Sequence, residues 1–274
     1  MNPLEFHAIT KTFDGFELGP IDLTIPQGYV TGLVGVNGAG KTTLIKLALG
    51  LLHPTSGSVS VIDKGRIGVV LDTPALVPNW TVRDVARAIA RFYPTWSQAE
   101  FDRVAAWGNL ASDKQVKELS RGMGMKLQLA IAMAHGADLL ILDEPTSGLD
   151  PLARSELLDM IAEFMTDERH SVLFSTHITT DLERVADHLA VLHSGRVLAA
   201  GPLSTILDDF RFVRGATADL DAMRPLVHGL REHAQGWEGL LATEHTVGLA
   251  PGTSVQTPTI DQLVVHLSKE PSHA

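Results

Sequence analysis

At 274 residues the chain is long enough for one large domain, or for one domain with a small appendage. Hydrophobic residues at 45% and charged residues at 20% describe a globular chain with a real core, while a formal net charge of −10 argues against a broad nucleic-acid footprint, which needs a basic surface. The absence of cysteine excludes a disulfide framework, a thiolate metal site and a cysteine nucleophile, and is compatible with a reducing cytoplasm.

The N-terminal stretch MNPLEFHAITKTFDG has no basic segment leading into an apolar core, so no signal peptide is expected. No run approaches the roughly 18 apolar residues of a membrane span. If the chain serves a membrane process, the membrane part is expected on another polypeptide. Its 12 histidines contain no HExxH-type pair and read as surface or packing residues.

Residues 4–34 read as strands broken by turns: LEFHAIT, FELGPIDLTI and YVTGLVG, separated at Asp14-Gly15, Gly19-Pro20 and Pro26-Gln27-Gly28. A glycine cluster and the apolar helix TTLIKLALGLL follow, and then two short strands, SVSVI and RIGVV. From Thr81 to about Met133 the period is helical, with Thr81/Asp84 and Ser97/Glu100 at the spacing of N-caps whose acid reaches back. ADLLILDEP is a short continuous apolar run, as a strand buried on both faces is. SVLFSTH repeats that form after a helix, which predicts a parallel sheet with crossover helices. LAVLH and RVLAA, joined at Ser194-Gly195, predict a closing hairpin. Beyond Leu207 the periodicity weakens, and the short apolar pieces FRFVRG, HTVGLA and QLVVHL suggest a small α+β appendage.

Gly35, Val36, Asn37, Gly38, Ala39, Gly40, Lys41 and Thr42 match G-x-x-x-x-G-K-S/T, the phosphate-binding P-loop. Phosphate oxygens need several backbone N–H groups converging on them, and a glycine-rich turn lets the backbone come that close. The following helix turns its positive N-terminal end to the same anion. Lys41 is expected to bridge the β- and γ-phosphates and the Thr42 hydroxyl to ligate Mg2+, with Thr43 counted among the nucleotide-binding residues. The loop follows a hydrophobic strand and opens a helix, a context that a chance glycine-rich match lacks. Leu139–Glu144 fits the acidic strand that partners such a loop. There Asp143 is expected to hold Mg2+ through water, and Glu144 to polarise the attacking water. Two adjacent acids also occur as an ordinary solvated strand end; the P-loop is what favours the functional reading.

In their order these motifs resemble those of the ABC (ATP-binding cassette) ATPases, over about residues 4–205. Leu119-Ser120-Arg121-Gly122-Met123 is similar to the LSGGQ signature of that family, Ser147-Gly148-Leu149-Asp150 to its D-loop, and His177, closing SVLFSTH, to its switch histidine. Phe13 stands where the family places an aromatic residue that stacks on adenine. The resemblance implies an α/β P-loop cassette with an antiparallel β-subdomain and a helical insert at about 80–133. The cassette would occupy residues 1–206 and a C-terminal accessory region residues 207–274. It implies ATP and Mg2+ as cofactors and a head-to-tail pair of cassettes, either two copies or a copy with a paralogue. In such a pair Ser120 and the Gly122 N–H touch the γ-phosphate held by the other chain, His177 orients water against Glu144, and Asp150 communicates between sites.

Three departures stand out. Asp72, in IGVVLDTP, replaces the usual glutamine near the metal; a carboxylate there either binds Mg2+ directly or stays turned away until the metal arrives. Arg121 and Met123 replace a glycine and a glutamine of the signature. The connection between SVSVI and RIGVV is also shorter than usual. With ARFYPTWSQAEFD and FSTHITTDLERVAD, these features are similar to the YtrB-like bacterial ABC ATPases, often encoded beside a GntR-type repressor and separate permease subunits. Some members of that subgroup export amphipathic peptides, an analogy of fold rather than of site.

Two function classes compete. One is the energy-coupling subunit of a transporter, cytoplasmic and peripheral at the inner face of the membrane beneath a separate permease. The other is a soluble ABC ATPase acting on ribosomes or DNA, a class that usually carries two cassettes or a long coiled-coil insertion. One cassette, a compact insert and an acidic balance favour transport, with no nucleic-acid partner. A small-molecule P-loop kinase does not explain LSRGM, SGLD and His177 together.

Overall fold

The computed structural model describes residues 2–72 and 76–269. β1 (Leu4–Phe13) and β2 (Phe16–Ile25) form the first hairpin, with Phe13 opposite Phe16 and Leu4 opposite Ile25. From Pro20 onward burial alternates along β2: Ile21, Leu23 and Ile25 point inward while Pro20, Asp22 and Thr24 face water, as period-2 patterning requires; the phase changes at Gly19-Pro20, so that Leu18 is also buried. β3 (Val30–Val34) is buried along its length and runs through the glycine loop into α1 (Lys41–Ala48). β4 (Ser56–Val61) pairs with the other side of β1 to complete a three-stranded antiparallel sheet. β5 (Ile67–Val70), close by in sequence, instead joins a second sheet.

The helical layer consists of α2 (Val82–Ala90), α3 (Gln98–Trp107) and α4 (Arg121–Ala134). Thr81 closes the expected box: Oγ1 accepts from Asp84 N at 3.1 Å, and Asp84 Oδ2 accepts from Thr81 N at 3.1 Å. Hydrogen bonds from Thr81 hold the Asp84 carboxyl below its ordinary value. At Ser97 only half of the expected device forms. Its hydroxyl accepts from Glu100 N at 3.2 Å, but the Glu100 carboxylate turns to Arg103 at 2.7 Å, because a guanidinium one turn on is a stronger donor than a backbone amide.

Then come β6 (Leu139–Asp143), α5 (Pro151–Phe164), β7 (Ser171–Thr176), α6 (Thr179–Val185), β8 (His188–His193) and β9 (Arg196–Pro202). The main sheet runs β5-β6-β7-β3-β8-β9, parallel as far as β8 and closed by the antiparallel β8–β9 hairpin. Its central strands alternate between two cores. Leu33, Leu139, Ile141 and Leu173 pack with α1 and the three-stranded sheet, whereas Val34, Leu140, Leu142 and Phe174 pack with α4 and α5.

The remaining elements are α7 (Leu203–Asp209), β10 (Phe210–Gly215), α8 (Leu220–Met223), β11 (His228–His233), β12 (Gly236–Ala242), β13 (Ser254–Gln256) and α9 (Ile260–Leu267). The strands form a third, antiparallel sheet in the order β11-β12-β10-β13. Of the short apolar pieces, FRFVRG is β10, HTVGLA forms no strand, and QLVVHL lies in α9. Strands β11 and β12 were not visible in the apolar pattern. α9 inserts Ile260, Leu263 and Val264 into the same core that holds Leu182 and Leu189. Thr73 and Pro74 of IGVVLDTP, and residues 270–274 of the expected appendage, lie outside the described residues.

Candidate active site

A cleft of about 350 Å³ opens where β3 hands over to α1, lined by Phe16, Asn37, Gly38, Ala39, Gly40, Lys41, Thr42, Thr43, Asp72 and Glu144. Two glycines make the turn feasible. A Cβ at Gly35 would stand 2.1 Å from the Leu192 carbonyl oxygen, and Gly40 has φ 110°, which side-chain-bearing residues avoid. Gly40 is the N-cap of α1 and supplies no side-chain acceptor, and no acid occupies the first turn. The amides of that turn are therefore left for an anion, which the helix dipole also favours. Gly35 and Val36 do not line the cleft; Gly35 instead receives the Lys41 ammonium on its carbonyl at 2.7 Å.

Lys41 is 6% exposed, and its Nζ also lies 3.3 Å from Glu144 Oε1. Burying an ammonium is costly unless it is paired, so this side chain is aimed into the cleft with its charge matched. The β6–β7 register sets Asp143 beside Ser175. Hence Asp143 accepts from Ser175 Oγ at 3.0 Å and from Thr42 Oγ1 at 2.8 Å, linking the P-loop to the acidic strand. Burial pushes the Asp143 carboxyl up from its ordinary value, against the hydrogen bonds from Thr42 and Ser175 that lower it.

One residue further on, Glu144 leaves the strand with φ 53° and donates its N–H to Ser175 O at 2.9 Å. This sparsely populated backbone region marks a conformation imposed by its surroundings. It carries the carboxylate between Lys41 and His177, whose Nδ1 lies 2.7 Å from Glu144 Oε2. His177 is exposed at the mouth, beyond the end of β7. A carboxylate bracketed by a lysine and an imidazole beside an anion cradle suits activation of water against a phosphoryl group.

Other expected residues lie elsewhere. Ser120 and Gly122 do not line this cleft. Ser120 caps α4, accepting from Met123 N at 3.3 Å, and Gly122 backs onto the D-loop, where an added Cβ would be 3.1 Å from Leu149 Cδ2. Asp150 caps α5, accepting from Ala153 N and Leu152 N at 3.0 Å each, bonds that hold its carboxyl below the ordinary value. Phe13 does not line the cleft, whereas Phe16 does, with ring centroids 6.4 Å apart. Asp72 reaches the cleft but is also ion-paired with Arg121. Phe16 and Ser175 were missed in the sequence. The facing register of the hairpin could have found Phe16, while a serine in an apolar strand gave no signal.

A P-loop strand–helix unit, an adjacent acidic strand, an antiparallel β-subdomain and a helical insert define an ATP-binding cassette. The family model described as ABC transporter matches residues 18–147. The Nod factor export ATP-binding protein I of Burkholderia lata is 34% identical over 222 residues, covering 75% of this chain and 73% of that protein. The bacitracin transport ATP-binding protein BcrA of Bacillus licheniformis is 32% identical over 194 residues, covering 66% and 63%. A solved ATP-binding subunit of an ABC transporter is similar with TM-score 0.66 and 30% identity, over 74% of this chain and 91% of that one. The chain belongs to the ABC transporter family as an ATP-binding subunit, and its activity is ATP hydrolysis coupled to transport. Among the described residues no helix is long and apolar enough to cross a membrane.

Proposed function

We propose that the chain works as half of a head-to-tail cassette pair, with each ATP held by one chain's P-loop and covered by the other chain's signature. The observation that carries this is the separation within one chain. Lys41, Thr42 and Glu144 share a cleft that Ser120 and Gly122 do not line. In this reading Gly35–Thr43 cradle the phosphates, Lys41 exchanges Glu144 for the β- and γ-phosphates, and Glu144, turned by His177, orients water. Asp150 links the two sites at the interface.

Thr42 and Asp143 offer hard oxygen donors already held 2.8 Å apart, a set that suits Mg2+ bound with the help of substrate phosphates. Among the described residues no cluster of three or more His, Cys, Asp or Glu side chains offers a cage of its own. When bound, Mg2+ would supply charge neutralisation for the phosphates; Asp72, on the cleft wall, is the third candidate ligand. Phe13 and Phe16, tilted 32° to each other at the hairpin tip, hold the adenine together.

Glu144→Gln keeps the shape of the side chain and removes its basicity. It is expected to slow turnover at least about a hundredfold while ATP binding persists, trapping a dimer seen by size-exclusion chromatography with ATP. Undiminished turnover, or a chain that stays monomeric with ATP, rejects the scheme.

The cassette (1–206) and the accessory region (207–274) sit at the cytoplasmic face beneath a separate permease, in a YtrB-like exporter of amphipathic molecules such as peptides. Among the relatives, Nod factor export supports that direction and bacitracin transport the peptide class. Affinity purification from membranes should bring down a permease subunit; recovery with ribosomes instead would count against this arrangement.

A further inference from the structure

Arg121 and Asp72, two departures from the common family pattern, are separated by 49 positions, and their side chains meet: Arg121 Nη2 donates to Asp72 Oδ1. The meeting is prepared by the fold, because α4 grips the same strand end a second time. Gln128 lies seven residues beyond Arg121, and so on the same helix face. It is buried, accepting from Leu71 N at 3.1 Å and donating to Leu71 O at 2.9 Å. α4 therefore fixes the backbone just before Asp72 and then meets Asp72 itself. Arg121 also lies against the D-loop, where a Cβ added to Gly148 would stand 3.8 Å from its Cδ. Asp72, for its part, lines the cleft with Lys41, Thr42 and Glu144.

The pair is half exposed, 56% for Arg121 and 47% for Asp72, and exposed pairs hold weakly. A triphosphate offers several charges and oxygens that a guanidinium grips bidentately. Arg121 stands between Ser120 and Gly122, which reach the partner's γ-phosphate in the head-to-tail scheme proposed above. Resting on that scheme, we infer that Arg121 is a phosphate-binding residue that acts across the interface, held in reserve by Asp72 of its own chain until ATP on the partner takes the guanidinium over. Loading of one site is thereby linked to the signature that serves the other.

The test uses the full-length chain carrying Glu144→Gln with ATP and saturating Mg2+, reading the dimer dissociation constant by analytical ultracentrifugation at low and high salt. Adding Arg121→Gln is expected to weaken the ATP dimer about tenfold and flatten its salt dependence, with ATP binding to the dilute single chain unchanged. Arg121→Lys, which keeps the charge without the fork, should fall between the two. Adding Asp72→Asn instead also removes the third candidate metal ligand, so it is compared at Mg2+ raised until the dimer constant no longer responds to the metal. There it is expected to leave the dimer as tight or tighter, because the guanidinium no longer has a partner to leave. A static clasp predicts that both substitutions loosen the dimer alike. Equal loosening, or no effect of Arg121→Gln, overturns the inference. A Glu144→Gln chain that never dimerises with ATP overturns the underlying scheme, and this inference with it.

Discussion

Phe13 and Phe16 face each other across the first hairpin, yet only Phe16 lines the phosphate cleft. In the proposed arrangement a base extending from phosphates seated on α1 would meet Phe16 first and Phe13 at the hairpin tip. Base–aromatic stacking is lost on substitution by alanine, so Phe13→Ala and Phe16→Ala are each expected to weaken ATP binding by about 1 kcal/mol, roughly fivefold. Inorganic triphosphate, which has no base, should bind both variants as well as the parent. A fluorescent-ATP displacement titration reads both effects, and an unchanged ATP affinity in Phe13→Ala would leave Phe16 as the sole platform. The phosphate residues were legible because their spacing is the chemistry: a glycine turn, a lysine and a hydroxyl in one octapeptide. Ser175 and Phe16 were not, because what places them beside the site is strand register, and register joins residues far apart in the chain.

At the scale of elements, the Thr81 box and the fully buried strands could be read directly, since capping and burial on two faces leave local marks in composition. The hold of α4 on the end of β5 left no such mark. Gln128 is the last polar side chain of α4 and would pass for an exposed position, but its amide closes both backbone groups of Leu71. Gln128→Leu fills the same space and leaves that N–H and C=O unpaired. An unsatisfied buried polar group costs about 1–3 kcal/mol, so the variant is expected to lose about 2–3 kcal/mol of stability in a urea titration. The binding of Lys41 and Thr42 to phosphate should survive. A loss below about 0.5 kcal/mol would mean that water replaces the amide and the segment is not gripped.

On the scale of the whole molecule, the weak periodicity beyond Leu207 has a physical reason. The third sheet buries one side against its own small cluster of Val213, Val227, Trp237 and Leu241, while Phe212, Leu240 and α9 join the large core that runs beneath the main sheet. α9 itself keeps a helical period, with Ile260, Leu263, Val264 and Leu267 on one face behind a Thr259/Gln262 capping box, whereas β11, β12 and β13 are short and bury without regular alternation, so the strand pattern is quiet. α9 is also tied at its start, where Ile260 N donates to Glu183 Oε1 of α6 at 3.3 Å. These contacts predict that the accessory region folds as one unit with the cassette rather than as a bead on a tether. Leu263 is 0% exposed at that junction. Truncating a buried leucine to alanine costs about 2–5 kcal/mol, a large share of the roughly 5–15 kcal/mol that a domain possesses. Leu263→Ala is therefore expected to lower the melting temperature of the entire chain in one cooperative transition, with ATP protecting the variant and the parent by the same increment. Two separate transitions, with only the smaller one displaced, would mean that the C-terminal sheet folds independently and that α9 merely rests on the cassette.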